Sequence, residues 1–559
     1  MMRLFLALAC VACVALSGCG FRGNHADVVL HNGVVLTLDA ASSEAQAVAV
    51  RNGRVWEVGP ERAILNKYHA DLQVDLMGAV VVPGLMDAHA HFVGFADGLG
   101  AADLVGTASV DEVLDIVVAH AAMFPDGWVV GRGWDQNDWE VTDFPDRANR
   151  LDVLFPDRPV ILERVDGHAV WCNAVALERA GLESGIDIAG GEALVAEDGR
   201  LTGVLIDAAA DSLQSWVPEP DSLVRAGYFK EAARRLAAVG LTHITDAGLE
   251  PQDVEDIAAL QASGELPLRF SVMVADRPEA LNHFLPAGPV IDTAGMLDVR
   301  AVKFYMDGSL GSRGASLLEP YSDRAETSGL FLQDEADYIE KVQRTQAAGF
   351  QVATHCIGDA AVRRVLGVYG GLLGGVNDLR WRIEHAQVVH KDDLSAFGTY
   401  TIIPSIQPTH ATSDMYWAGQ RLGRNRVRRA YIYKSLQSQL GWLPLGTDFP
   451  VEGIAPLRTF YAAVVRKDVE GYPEGGFQSD EALDRMSALK GMTSWAALAC
   501  FREHDLGQIA PGYRADFTVL DRNPLTAPAS GLLETRVLQT WIGGERIFER
   551  QGRTTVPSP

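Results

Sequence analysis

Basic residues are scarce in this sequence: 48 Lys and Arg stand against 73 Asp and Glu over 559 residues, a formal charge of -25. That balance excludes the clustered cationic surface a nucleic acid or an anionic membrane face requires. Cysteine is equally sparse where it would matter, since Cys10, Cys13 and Cys19 fall in the first twenty residues and only Cys172, Cys356 and Cys500 remain. An odd, widely spaced trio is no disulfide framework, so free buried thiols are expected and stability has to come from the core. No long apolar run follows the N-terminal one, and no glycine-rich dinucleotide fingerprint opens a strand–helix step. The first absence excludes a polytopic membrane protein, and the second weakens any nucleotide-binding sheet. What is there, 48% hydrophobic and 22% charged residues, is ordinary globular composition.

Met1-Met2-Arg3 precedes an apolar run, Leu4 to Leu16, that closes in Ser17-Gly18-Cys19. The run is short for a bilayer span and has the order of a secretory signal. Leu16-Ser17-Gly18-Cys19 resembles the bacterial lipobox, which implies a signal peptide over 1–18 and a lipid on Cys19. Gly20, the residue after it, implies the outer membrane, facing the periplasm.

Both ends of the mature chain read as short strands: Val28–Leu30, Val34–Leu36, Ala47–Val50 and Val55–Val58 at one end, Ala515–Leu520, Val537–Ile542 and Arg546–Phe548 at the other. Asn32-Gly33 and Asn52-Gly53 suit hairpin turns between them. The middle alternates apolar runs with helical stretches such as Leu223 to Val239 and Tyr338 to Ala348, the signature of βα units. The expected fold is α/β, a (β/α)8 TIM-type barrel over 85–500 inserted in a small β-sandwich built from 19–84 and 501–559. Residues from about 98 to 220 are too many for one βα connection, and read as a subdomain capping the barrel mouth.

The sharpest chemical signal is Pro83-Gly84-Leu85-Met86-Asp87-Ala88-His89-Ala90-His91. In a strand, residues two apart face the same side, so His89 and His91 point together at one metal. His355 in Thr354-His355-Cys356 and His385 in Arg382-Ile383-Glu384-His385 also end apolar strands, one βα step apart. Histidines at strand ends of one barrel converge on a shared centre, and their nitrogens suit zinc, iron or manganese. Asp448, in Leu445-Gly446-Thr447-Asp448, ends another strand as a candidate ligand and general acid/base; its alternative is to cap the next turn.

Together these segments resemble the amidohydrolase superfamily, in its family 3 branch of N-substituted formamide deformylase-like proteins, from about residue 27 to 550. The resemblance includes Gly507-Gln508-Ile509-Ala510-Pro511-Gly512 near the C-terminus. It implies one or two divalent metals, zinc first, held by His89, His91, His355, His385 and Asp448. It also implies a Lys303 carboxylated by carbon dioxide into a metal bridge, the alternative being a salt-bridged lysine. The implied reaction is hydrolysis of a non-peptide, amide-type C–N bond in a small molecule by metal-activated water. Cyclic amides and N-acyl amino acids are alternative substrates, and a non-catalytic, lipid-anchored metal- or solute-binding barrel is the alternative class. Three further segments that hold Trp134, His168 and Gln407 resemble the branch and by position would line the substrate pocket, with His168 contacting substrate or else structural, and His410 a pocket residue or a neighbour of the ligands. Arg313, on the loop 307–316, offers a fork for a substrate carbonyl or carboxylate, or else pairs with Glu319 or Asp307. A homodimer is compatible with all of this and leaves no mark in the sequence.

Overall fold

The structure, a computed structural model, describes residues 24–551 except 141–142, 148–149, 184–185, 187 and 219. Its centre is a parallel sheet of seven strands in chain order: Leu85–Ala90, Leu241–Leu249, Arg269–Ala275, Leu297–Tyr305, Gln351–Cys356, Arg382–His385 and Ile403–Ser405. These strands are buried on both faces, which is why they read as near-continuous apolar runs. Helices such as Ser222–Ala238, Glu335–Ala347 and Asp359–Leu373 alternate with them, the second held at its start by Asp334, whose side chain accepts from Ala336 N and Asp337 N. Apolar residues from four successive strands, Ala247, Met273, Ala301 and Ala353, form one packed layer.

An irregular segment, 443–449, closes the sheet into a barrel. Leu445 bridges Ile406 in parallel and accepts from Ala88 N at 3.1 Å, and Asp448 N donates to His89 O at 2.9 Å. The segment therefore stands in the eighth position, between the seventh strand and the first. Asp87 fastens it, accepting from Thr447 N at 3.0 Å and from Thr447 Oγ1 at 2.7 Å.

A second sheet, with strands running from Ala102 to Asp207, lies over the C-terminal ends of the barrel strands around its own core of Trp134, Trp171, Leu162 and Val204. The chain ends form a further pair of sheets. One holds Arg54–Gly59, Ala47–Arg51, His25–His31 and His69–Asp75; the other runs Glu545–Glu549, Val537–Ile542, Phe517–Leu520, Val80–Pro83, Val34–Leu36 and Glu44–Ala45. Apolar residues from both share one core, including Val28, Val48, Val81, Phe517 and Trp541. Asn52-Gly53 turns between the paired strands Ala47–Arg51 and Arg54–Gly59. Asn32-Gly33 does not make the hairpin expected of it, because the strands it joins belong to different sheets. There Val34 N donates to Ala79 O at 3.0 Å, and a Cβ on Gly33 would meet Leu76 at 2.6 Å, so the turn is shaped by packing on 76–79.

Cys172, Cys356 and Cys500 are free and buried. Among the described residues no helix is long and apolar enough to cross a membrane. The leader and Cys19 lie outside the described residues.

Candidate active site

Four of the expected residues meet at the C-terminal ends of the first, sixth and eighth barrel positions. Asp448 Oδ1 lies 3.5 Å from His89 Nε2 and 3.2 Å from His91 Nε2, and Oδ2 lies 3.9 Å from His385 Nδ1. One ligand atom each from His89, His385 and Asp448 falls within 4.8 Å of the others. Both ring nitrogens of His385, and Asp448 Oδ1, are buried without a hydrogen-bond partner. Buried polar atoms are ordinarily satisfied, so this converging set of orphaned donors fits a cation that would satisfy them.

Electrostatics fit the same assignment. Burial, then the nearby Lys303 charge, brings His89 down to about 4, and burial together with neighbouring charges holds His355 and His385 well below the usual histidine range. Burial acts to raise Asp448, but the hydrogen bond with His410 and the imidazoles of His91, His89 and His385 around it outweigh it and keep the carboxyl well below its ordinary value. Neutral imidazoles beside a carboxylate are the donor set a divalent ion requires.

The groups behind the ligands fix their direction. Glu384 pairs with His89 Nδ1, which leaves Nε2 facing Asp448, and Glu384 is itself paired with Arg382 at 2.6 Å. His410 Nε2 lies 3.0 Å from Asp448 Oδ2 and its Nδ1 3.0 Å from Glu452, so one carboxylate oxygen is tied and the other is free. His355 borders the cluster, its ring 4.5 Å from that of His385. Lys303 is fully buried with Nζ 3.3 Å from His89 Nε2, and burial lowers it to about 8. It has no carboxylate at ion-pair distance among the described residues, so the salt-bridged alternative does not hold.

A cavity of about 1390 Å³ opens over this cluster between barrel and cap, with Lys303, Tyr305, His355, His385 and Asp448 at its floor and His168 on its cap side. Three residues expected in the substrate pocket stand elsewhere. Trp134 is fully enclosed in the cap core, its Nε1 donating to Leu162 O, because its strand turns that face toward the helix Val110–Met123. Gln407 is buried behind the cavity wall, its Nε2 on Ser405 O at 3.4 Å, and it is Gln387 that lines the cavity. Arg313 pairs with Asp323 at 3.0 Å, turned outward by a left-handed backbone (φ 68°), and meets neither Glu319 nor Asp307. Asp307 instead accepts backbone hydrogens from Ser316, Ile357 and Gly358. Glu384, behind His89, and Asp207, beside His168, have no assignment in the sequence, and His410 is there only a pocket residue or a neighbour of the ligands. The alternation of Arg382 and Glu384 on one face of a barrel strand was the available signal for the first.

Parallel barrel, closing eighth segment and a ring of imidazoles with a carboxylate at the strand C-termini define a TIM-type barrel protein with a metal-type centre. A family model described as amidohydrolase family matches residues 73–548, and the chain belongs to that family. It is 32% identical over 542 residues to protein LONG AFTER FAR-RED 3 of Arabidopsis thaliana, covering 94% of this chain and 92% of that one. It is 27% identical over 548 residues to N-substituted formamide deformylase of Arthrobacter pascens, covering 94% and 99%. Among solved structures, an uncharacterized metal-dependent hydrolase of Pyrococcus horikoshii superposes with a TM-score of 0.73 at 26% identity, over 90% of this chain and 99% of that one.

Proposed function

We propose that this chain is a metal-dependent hydrolase of a non-peptide, amide-type C–N bond in a small molecule. The observation that carries the reading is the convergence of orphaned donor atoms from His385 and Asp448 with His89 at the floor of the cavity. The name of the Arthrobacter pascens relative supports an acyclic amide, such as a substituted formamide, as the substrate class.

His89, His91, His385 and Asp448 would hold the ion, zinc by preference, with His355 beside them. When bound, the ion supplies Lewis acidity to the scissile carbonyl and makes water a nucleophile at neutral pH. Asp448, with one oxygen on His410 and the other without a hydrogen-bond partner, would take a proton from the attacking water and return it to the leaving nitrogen. Glu384 keeps His89 in the tautomer that presents Nε2. Lys303, buried beside His89, is the residue for carboxylation, and its lowered basicity supplies the free amine that reaction needs. A ¹³C-bicarbonate exchange followed by NMR of the carboxylated lysine tests that assignment.

Metal analysis of the purified protein, joined to turnover assays on N-substituted formamides, N-acyl amino acids and cyclic amides, tests the whole reading. Stoichiometric metal with hydrolysis of one class supports it. A metal-loaded protein that hydrolyses none of them overturns it in favour of a binding barrel.

A further inference from the structure

The cap reaches the cavity through a pair of side chains, His168 and Asp207. They sit at the ends of the neighbouring antiparallel strands Ala169–Cys172 and Leu201–Asp207 and are joined twice. Asp207 N donates to His168 O at 2.9 Å, and His168 Nδ1 lies 2.7 Å from Asp207 Oδ1. A carboxylate only accepts, so Nδ1 carries that hydrogen and Nε2 is the ring's remaining polar atom. The ring stands 5.2 Å from that of His355, and both residues of the pair line the cavity. His168 N also donates to Asp166 Oδ1 at 3.1 Å, and Asp166 Oδ2 accepts from Ser309 Oγ of the barrel at 2.5 Å.

Asp207 is held in a conformation that an L residue rarely adopts, with φ 52° and ψ -124°. Strain of this kind persists only where the surroundings over-determine it, and it collects at functional sites. Here the surroundings are visible. A Cβ on Gly308 would come within 2.7 Å of Asp207 Oδ2, and one on Gly314 within 2.8 Å, so the glycines of the barrel loop make room for this carboxylate. Oδ2 is buried without a partner, so the carboxylate is not there to satisfy the loop. Strained backbone, paired glycines and a doubled strand link all serve to fix one imidazole at the cavity wall.

We infer that His168 is a substrate-contacting residue of this active site, acting through Nε2, and that Asp207 is its positioning residue. The inference rests on the hydrolase reading above and extends it: the cap is part of the reaction centre and supplies a polar contact to the amide-type substrate from outside the barrel.

His168→Ala lowers kcat/KM by roughly ten- to a hundredfold, the worth of one hydrogen bond to a charged group, with metal content unchanged. Asp207→Asn still accepts the Nδ1 hydrogen and retains more activity than Asp207→Ala. Gly314→Ala crowds Asp207 Oδ2 and reproduces the Asp207→Ala loss with both residues of the pair unchanged in identity. Histidine carbethoxylation, read by peptide mass spectrometry on Asp448→Asn protein, gives a readout apart from turnover and does not depend on the His168 variant folding. An N-alkylformamide, an N-acetylamino acid and a hydantoin serve as probes, and the one that binds shields His168 from label. If the wild type turns over no probe and one still shields His168, the contact stands and the hydrolase reading falls. If a probe is turned over, with no shielding and normal kcat/KM in the variants, the contact is overturned and the hydrolase reading stands. If no probe is turned over and none shields His168, both are overturned.

Discussion

At the scale of single residues the site separates holding a metal from moving a proton. Asp448→Asn preserves shape but removes the proton acceptor, so metal stoichiometry largely survives while kcat falls by roughly a hundred- to ten-thousandfold. His89→Ala removes a ligand and lowers metal content together with activity. Metal analysis and turnover of both proteins check the contrast, and an Asp448→Asn enzyme of near-normal rate would remove Asp448 from the mechanism. Glu384 gives a second prediction, because it serves His89 and Arg382 at once in a site with no solvent exposure. Glu384→Gln leaves the Arg382 charge uncompensated, at a cost of about 3–5 kcal/mol in stability, and weakens metal binding by roughly ten- to a hundredfold. Urea unfolding and metal titration read the two effects separately. The sequence made His89, His91, His385 and Asp448 legible because each ends an apolar run. It did not show why His385, three residues after Arg382, joins the inward face that Arg382 and Glu384 occupy. His385 and Asp448 both take left-handed backbone, φ 68° and 64°, a turn that period-two reasoning does not contain. Trp134 was misread for the opposite reason: beside a polar motif, an aromatic looks like a pocket residue whether it faces the cavity or the core.

Among the elements, the closing segment 443–449 is irregular and carries Asp448, the proposed general acid/base. Besides backbone bonds, its attachment to the first strand uses Asp87, which accepts from Thr447 N and Oγ1 and from His89 N at 3.1 Å. One buried side chain thus helps to set the spacing between the strand of His89 and Asp448. Thr447→Val keeps the volume but leaves an Asp87 oxygen unsatisfied, which costs about 1–3 kcal/mol. It is expected to lower the urea midpoint and kcat together, with KM changing less, since Asp448 moves relative to the ligands. A variant with wild-type kcat would show that the segment holds Asp448 without Asp87. The regular strands were legible from composition, because strands buried on both faces leave near-continuous apolar runs such as Val272–Ala275 within Arg269–Ala275. The eighth position was legible only as a strand end, since Pro444, Gly446 and Pro450 leave it a single bridge to the seventh strand.

For the molecule as a whole, the leader predicts a tether: Cys19→Ala is expected to release the protein from the membrane fraction, and retention after normal processing would remove the lipid assignment. The two-ended sheet pair was legible as strand grammar at both termini, but the crossing at Asn32-Gly33 was not, because partner choice is set by the packing of 76–79. The last prediction follows from which parts of the chain meet at the metal. His89 and His91 come from the first barrel position, His385 from the sixth and Asp448 from the eighth, so a bound ion ties together the seam where the barrel closes. An ion that binds only the folded chain stabilises it by about 2.7 kcal/mol at a hundredfold excess over Kd. The sandwich sheet of Ala47–Arg51 and His25–His31 holds none of these ligands and has its own apolar cluster. Chelation should therefore speed amide hydrogen exchange in Leu85–Ala90 and Arg382–His385 and leave Ala47–Arg51 unchanged, and restoring zinc should reverse it. Exchange that quickens equally in barrel and sandwich would mean the two unfold as one unit. No change in either would mean that the ion does not bind at the seam, and the ligand assignment would have to be given up.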